Sequence, residues 1–411
     1  MSLQKNGSVK KSAAFALKLL PAALATLISA NASAGFPTLY GKVFLSLNEY
    51  DLEKNKFTGT AHTGGTGVAP ELETTALESS GSRLGIQGDF GASYDTTIFY
   101  RIEYGIDVDN GTNANGRELT QRNIFGGVRG EWGQVLVGKN DTPLKTLQTN
   151  TVLRTDIDRF NDYALADIGT YLAGENRPDN VIQYTSPILL GGLEINLAAI
   201  QAEETGVPVP ASGTTAVSPQ DDNDFATGKS FSVVYGKAKW FVGAAYETNV
   251  ATADTLRALG EVTLGPVKLA AIYQTSERHE DYDTIGGLTS SFVTTATTTT
   301  GAQNGLNPLA EWDGAAGTNY KEQDGYVVNA AWKIAGPWVL KAQVGHATST
   351  PSNIAYSDVD SDAAAIGLDF NLSEAARLFT YYAQLETEGD VKINKESTTD
   401  KTFAVGLDFR F

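Results

Sequence analysis

The chain has 411 residues, and its 48 acidic against 31 basic side chains give a formal charge of −17. This balance repels nucleic acid, so no nucleic-acid partner is expected. Cysteine is absent, which excludes disulfides, thiolate chemistry and cysteine metal sites.

The N-terminal segment has the pattern of a secretory signal peptide. Several lysines lie in or before an apolar stretch that closes on Ala32-Ser33-Ala34. This A-x-A site predicts cleavage after Ala34. A membrane anchor is the alternative, but the apolar core is short and Pro21 interrupts it. We therefore expect an exported protein, with a signal peptide over residues 1–34 and a mature domain over residues 35–411.

From Thr38 onward, apolar and polar residues alternate with a period of two. Examples are YVVNAAWKI (326–334), WVLKAQV (338–344) and AAIGLDFNL (364–372). Strict alternation over about ten residues predicts strands with one apolar and one polar face. The 17 tyrosines and 17 phenylalanines, against one methionine, also favour strands over helices.

The connections between these strands alternate between short and long. Gly191-Gly192, Gly265-Pro266 and Gly336-Pro337 form short turns, whereas the stretches 203–226, 278–323 and 389–400 are long and polar. The pattern gives about 16 strands, with the long loops on one side, as in a transmembrane barrel of the outer-membrane type.

A soluble β-sandwich also alternates, but three features favour the barrel. The polar faces carry charged and amide residues on nearly every strand, so we do not expect them to form a packed core. Aromatic residues lie near predicted strand ends, as in an interfacial girdle. The last strand, TFAVGLDFRF (402–411), has one apolar face that ends in Phe411, and lipid requires that a sheet close on itself. The fold class is therefore predicted to be all-β, a 16-stranded antiparallel transmembrane β-barrel.

Several stretches resemble the trimeric general porins of Gram-negative outer membranes, in the branch found in Neisseria and Comamonas-type bacteria. They are LYGKV (39–43), SRLGIQG (82–88), GGVRGEWGQVLVGKNDTPL (126–144), RPDNVIQYTSP (177–187) and VGLDFRF (405–411). The resemblance implies an outer-membrane homotrimer that lets small hydrophilic solutes and ions diffuse passively. It also implies recognition of the terminal Phe411 by the barrel-assembly machinery and contact with outer-membrane lipid and lipopolysaccharide.

By the same resemblance, the long third connection, about 141–179, folds into the pore and narrows it. This segment contains five acidic candidates for the constriction: Asp156, Asp158, Asp162, Asp167 and Glu175.

The wall candidates come from strand parity and from the resemblance. Parity directs Arg83, Arg101 and Glu103 into the lumen, since they alternate with apolar residues. Resemblance matches Arg83, Arg122 and Arg177 with constriction arginines of related porins. Two weaker candidates are Lys42 and Arg257. We expect wall arginines to face loop carboxylates, because arginine stays charged and rings of charge set ion preference.

Two other functions stay open beside general diffusion: a substrate-specific channel with a saturable site, and a structural or adhesin barrel with a blocked lumen. Ion preference is also open. The acidic composition favours cations, but exposed charges are screened within about 10 Å, and the nearer arginines would favour anions.

Other motifs give no catalytic, cofactor or metal site. Of the three histidines, His62 and His279 lie in predicted loops, and His346 is expected to face outward near the rim. DVDSD (358–362) imitates a calcium loop but has Ala363 where such a loop needs glycine. It is expected to be a solvated acidic loop that could bridge to lipopolysaccharide phosphates through divalent cations. We expect no enzyme activity.

Overall fold

The computed structural model describes residues 36–52, 72–91, 95–109, 119–150, 155–201, 226–251, 253–279, 320–351, 358–389 and 396–411. The predicted signal peptide and its cleavage site after Ala34 lie outside these residues, as do His62 and most of the long polar loops. No helix in the described ranges is long and apolar enough to cross a membrane.

Strands make up most of the described chain, and 17 of them form a single sheet. Two further strands, β7 and β8, pair as a short hairpin within the connection between β6 and β9. The strands are β1 (Thr38–Leu52), β2 (Leu72–Ser79), β3 (Arg83–Gly91), β4 (Thr97–Ile106), β5 (Leu119–Gly130), β6 (Gly133–Lys139), β7 (Thr149–Asn150), β8 (Thr155–Asp156), β9 (Val181–Thr185), β10 (Leu193–Ile200), β11 (Gly228–Lys237), β12 (Trp240–Val250), β13 (Ala253–Leu264), β14 (Val267–Arg278), β15 (Tyr320–Ala335), β16 (Trp338–Pro351), β17 (Val359–Asn371), β18 (Ala376–Gly389) and β19 (Glu396–Arg410).

The sheet closes on itself by antiparallel pairing of β1 with β19, from Lys42 opposite Arg410 to Asp51 opposite Lys401. On its other edge, β1 pairs with β3 near its start and with β2 farther along. The segments β2 and β3 are thus two parts of one strand that is interrupted at residues 80–82. Counted in this way, the barrel has 16 strands, which confirms the predicted fold class.

The two faces of the strands alternate as the sequence predicts. In β19, Phe403 and Val405 are about half exposed, whereas Thr402 and Ala404 are buried in the interior. Apolar side chains are therefore on the outside and small or polar ones are inside, the reverse of a soluble protein.

Tryptophans mark the rim with the short turns. Trp132, Trp240, Trp332 and Trp338 lie in or beside these turns, and each is between 39% and 45% exposed. This is the position of an interfacial aromatic girdle, where an amphipathic ring contacts both lipid and water.

The described parts of the connection from β6 to β9, residues 140–150 and 155–180, lie inside the barrel. They contain the helical turn α1 (Pro143–Thr146), the β7–β8 hairpin and a 3₁₀ turn at Ile168–Thr170. We call this segment the inner loop. Loops normally lie on the surface because their backbone polar groups need partners, so the inner loop must find its partners on the barrel wall.

Candidate pore constriction

Aromatic contacts hold the inner loop against one side of the wall. The ring of Tyr163 lies 5.0 Å from Phe44 of β1, 4.8 Å from Phe379 and 5.0 Å from Tyr381 of β18, measured between centroids. Phe160, also from the loop, is completely buried beside them. The expectation that the inward face forms no packed core is therefore wrong on this side, because the loop itself supplies the apolar partner.

Buried side-chain amides on the wall satisfy the loop backbone. Gln323 of β15 donates to the Tyr171 carbonyl oxygen at 3.2 Å and accepts from the Ala173 amide at 2.8 Å. Asn329 donates to the Ile157 carbonyl oxygen at 2.6 Å. The remaining members of this set are Gln274 and Gln343, which donate to loop carbonyl oxygens at 2.8 and 3.0 Å. The inward amides thus act mainly as anchors for the loop.

Arg257 of β13 is the most deeply buried of these anchors, with no exposed side-chain surface. Its Nη1 lies 2.9 Å from Glu175 Oε1, and its Nη2 donates to the Ala173 carbonyl oxygen at 3.0 Å. The structure therefore does pair the predicted loop acid Glu175 with a wall arginine. Little of this pair is exposed, since the Glu175 side chain is 11% exposed.

The wall candidates Arg83 and Arg122 lie together with Glu103. Glu103 of β4 accepts from Arg122 Nε at 2.8 Å and lies 3.8 Å from Arg83 Nε. The loop approaches this group through Asp162, which is 2.7 Å from Lys42 Nζ and 4.0 Å from Arg83 Nη1. We call these five residues the wall cluster.

A second charged group forms where the inner loop starts and ends. Asp141 lies 2.8 Å from Arg177 Nε and 3.4 Å from Lys145 Nζ. Arg177 precedes the strand that follows the loop, because β9 begins at Val181. It belongs to the loop, where its charge compensates Asp141. Arg122 of the wall cluster lies within its strand, since β5 starts at Leu119.

Two of the other predicted loop acids, Asp158 and Asp167, accept hydrogen bonds from backbone amides of the loop itself. Asp158 accepts from the Phe160 and Ile168 amides of the loop at 3.0 and 3.2 Å. Asp167 accepts from the amides of Asp162 and Gly169, each at 2.7 Å. Both carboxylates replace missing backbone partners within a tightly turned segment. The fifth loop acid has its backbone in β8, but its side chain is outside the described set: Asp156.

The electrostatics of the loop acids follow from these neighbours. Burial alone would raise the pKa of Asp162, but Lys42 and Arg83 outweigh it and hold the pKa well below its usual range. The cations beside Asp141 lower the pKa of that carboxyl in the same way. Both groups are thus ionised at neutral pH.

Arg101 of β4 differs from the other wall arginines. Its Nη2 donates to Gln87 Oε1 at 3.0 Å, and its guanidinium lies 5.7 Å from the ring centroids of both Tyr40 and Phe125. Among the described residues, no carboxylate lies within ion-pair distance of it. Strand parity alone predicted that the Arg101 side chain points into the lumen, and it has this orientation in the structure.

A cavity of about 920 Å³ lies on the side of the barrel that the inner loop leaves open. Its wall is formed by β3–β6, β9, β10 and β11, with the start of the inner loop on the other side. Arg101, Asn123 and Asp141 contribute to its lining, together with Phe99 and Phe125.

Sequence reasoning missed Asp141 as a site residue and used it only as a loop boundary. Lys145 and Tyr40, whose hydroxyl donates to Glu103 at 3.0 Å, were also missed. A signal existed for Asp141, since it is the second residue after the end of β6, where a connection that turns into the barrel must begin. Lys145 lies four residues after Asp141, so it could have been found with it, whereas Tyr40 and its partner Glu103 are 63 residues apart in the chain.

The described histidines each contact one aspartate. His346 Nδ1 lies 2.8 Å from Asp362, outside the barrel, and Thr348 Oγ1 is 3.2 Å from His346 Nε2 but donates to Asp360 at 2.6 Å. His279 lies 2.8 Å from Asp254. In the described part of the chain, no group of three or more histidine or acidic side chains could hold a metal ion.

Solved structures of outer-membrane proteins share this fold. The anion-selective porin from Comamonas acidovorans is 17% identical, with a TM-score of 0.58 over 91% of this chain and 99% of that chain. The outer-membrane channel DcaP of Acinetobacter baumannii is 14% identical, with a TM-score of 0.57 over 93% and 99%. The trimer form of OmpT from Vibrio cholerae is 13% identical, with a TM-score of 0.53 over 91% and 99%.

No curated protein sequence matches the chain significantly. The model of the Gram-negative porin family, however, matches residues 21–390. The chain therefore belongs to the Gram-negative porins, and it is an outer-membrane channel, as the resemblance in its sequence predicts.

Proposed function

We propose that the protein is a passive diffusion channel for small hydrophilic solutes and ions, with no catalytic step and no cofactor. The observation that carries this proposal is the approach of Asp162, on the inner loop, to Lys42 and Arg83 on the wall. These ion pairs join the inner loop to the wall and bring charges of both signs together where the loop narrows the lumen. The field of such charges orients dipolar solutes and disfavours apolar ones.

We propose that anions pass more readily than cations. The wall cluster and the group around Asp141 contain five cationic side chains but three carboxylates. The cations are Lys42, Arg83, Arg122, Lys145 and Arg177. Arg101 adds a further positive charge. Charges beside the permeation path act over shorter distances than the acidic outer residues, which salt screens.

We further propose a homotrimer that contacts outer-membrane lipid and lipopolysaccharide and whose assembly uses Phe411. Two observations support this proposal. The structurally similar OmpT has a trimer form, and the outer surface of the barrel described here is apolar. The Phe411 backbone pairs with Gly41 in both directions, at 2.9 and 3.1 Å. The last residue thus belongs to the seam between β1 and β19.

The channel proposal is tested by single-channel recording of the refolded protein in a planar bilayer with a KCl gradient. We expect large ohmic steps that close in groups of three at high voltage, and a reversal potential of the sign for anion preference. Absence of steps from well-folded protein would favour the adhesin barrel, and saturation by one solute would favour a substrate-specific channel.

The role of the wall arginines is tested by Arg83→Ala and Arg122→Ala, which should each shift the reversal potential toward cations. Lys237→Ala is the matched control. It removes one positive charge from an exposed position at the end of β11, where Lys237 donates to the Gly191 carbonyl oxygen. Equal shifts in all three variants would mean that total charge, and not the wall cluster, determines selectivity.

A further inference from the structure

We infer that Arg101, with the aromatic rings around it, forms a binding site for aromatic carboxylates in the lumen. This inference rests on the proposed channel function and gives one chemical class of solute to that channel. It concerns the cavity of about 920 Å³ beside the inner loop, a size typical of small-molecule sites.

The Arg101 guanidinium lies near two aromatic rings. Arg101 pairs with Gln87 of β3 on one side and with Phe125 of β5 on the other. Its guanidinium lies 5.7 Å from the Tyr40 and Phe125 ring centroids. Stacked rings restrict the side chain, so its remaining N–H groups are presented with little loss of conformational freedom on binding.

The charge of Arg101 is not compensated, whereas its neighbours are paired. Arg122 donates to Glu103. Arg129 of β5 lies closer to the short turns and donates to Asp89 at 2.6 Å. Within the described residues, Arg101 has only the neutral Gln87 as a hydrogen-bond partner. A guanidinium in this state favours a carboxylate, which it binds through two parallel hydrogen bonds.

The acids that line the same cavity do not cancel this charge. Asp89 is paired with Arg129, and Asp141 lies between two cations of the inner loop. Glu194 is on β10, four strands around the barrel from β4, where it accepts from Asn196 at 3.1 Å. The positive potential is therefore concentrated at Arg101.

The wall beside Arg101 suits a flat apolar body. Phe99 and Phe125 meet edge to face, with centroids 6.1 Å apart, and both line the cavity. An aromatic ring attached to the bound carboxylate would reach these faces and add an offset or edge-to-face contact. A small aliphatic carboxylate such as acetate would gain the ion pair but no ring contact.

The test compares benzoate with acetate as blockers of the single-channel KCl current. We expect benzoate to reduce the current saturably, with a half-blocking concentration about 10-fold below that of acetate, a ratio in the range of one aromatic contact. Arg101→Gln should raise the half-blocking concentration of both anions by about 10-fold or more, because a charged hydrogen-bond pair is lost.

Phe125→Leu separates the contribution of the aromatic ring to binding from the contribution of the Arg101 charge. This variant keeps an apolar side chain but removes the ring, so it should weaken benzoate block more than acetate block. Lys237→Ala should alter neither. Equal block by the two anions, or unchanged block in Arg101→Gln, would overturn the inference even if the channel conducts normally.

Calorimetric titration of benzoate into the refolded protein in detergent separates this inference from the channel proposal. Binding that Arg101→Gln weakens would support the site even if no current steps were seen. Current steps without benzoate binding would leave the channel intact and exclude the site.

Discussion

The interruption of the strand at residues 80–82 has a specific cause at the residue scale. Gly81 has φ +67°, in the left-handed region, and a Cβ atom at this position would overlap the Asp162 carboxyl group. Glycine therefore meets two needs at once, the turn of the backbone and the close approach of the loop acid to the wall.

Gly81→Ala should displace Asp162 from Lys42. Once the Asp162 carboxylate has moved away, the other residues of the wall cluster carry a larger net positive charge. The reversal potential should therefore shift toward anion preference. The positive φ adds a destabilisation of about 1 kcal/mol. The two readouts are the reversal potential and the free energy of unfolding in urea.

Gly265→Ala is the matched control for this change. Gly265 has a similar φ of +60°, but its added Cβ would meet nothing within 4 Å. It should therefore lose stability through the backbone alone and keep the wild-type reversal potential. Identical selectivity in both variants would show that Gly81 serves only the turn.

At the element scale, the inner loop is held by inward side chains from several strands on one side of the barrel. The alternation of the strands predicted polar inward faces that form no packed core. It could not show that Gln323, Asn329 and Arg257 face a loop, because their partners are roughly 80 to 170 residues away in the chain. Periodicity reports the face of a residue and carries no information on a distant partner.

Arg257→Ala should loosen the inner loop. The change removes the charge partner of Glu175 and one of two hydrogen bonds to the Ala173 carbonyl oxygen, while Gln148 and Gln274 remain as partners. The loss of a hydrogen bond to a charged group costs about 1.5–3 kcal/mol. Trypsin should therefore cut at Lys145 or Arg159 faster than in the wild type, because the open state of the loop is more populated.

Two comparisons make this loop test specific. Glu175→Gln keeps hydrogen bonding and removes only the charge, so its cleavage rate should lie between wild type and Arg257→Ala. Lys237→Ala should leave the rate unchanged. A wild-type rate in Arg257→Ala, in protein with a normal strand signal by circular dichroism, would mean that the aromatic contacts alone hold the loop.

At the scale of the whole molecule, the fold could be predicted almost completely from alternation. Lipid imposes one rule on all strands, and it forbids open edges, so a local pattern determines a global architecture. The constriction could be predicted only in part. Arg83, Arg101 and Glu103 follow from parity, whereas the pairing of Asp141 with Arg177 depends on the path of the inner loop, which no local pattern encodes.

The molecule also carries two kinds of carboxylate that differ in their response to acid. Asp162 in the inner loop has a pKa well below its usual range because Lys42 and Arg83 outweigh burial. A carboxyl whose pKa is lowered by folding stabilises the fold above its unfolded pKa of about 3.9, and this contribution is lost as the pH falls through the folded value. Exposed acids of the rim instead gain protons near pH 4.

Asp162→Asn separates these two populations. At pH 7 the variant should show a stronger anion preference than the wild type, because one negative charge is removed beside Arg83. Acidification to about pH 4 protonates exposed acids in both proteins and moves both reversal potentials toward anions. Since Asp162 stays ionised there, the difference between the two proteins should persist at pH 4. If the two proteins instead converge at pH 4, Asp162 has gained a proton in the wild type, and the wall cations do not hold it in the charged form.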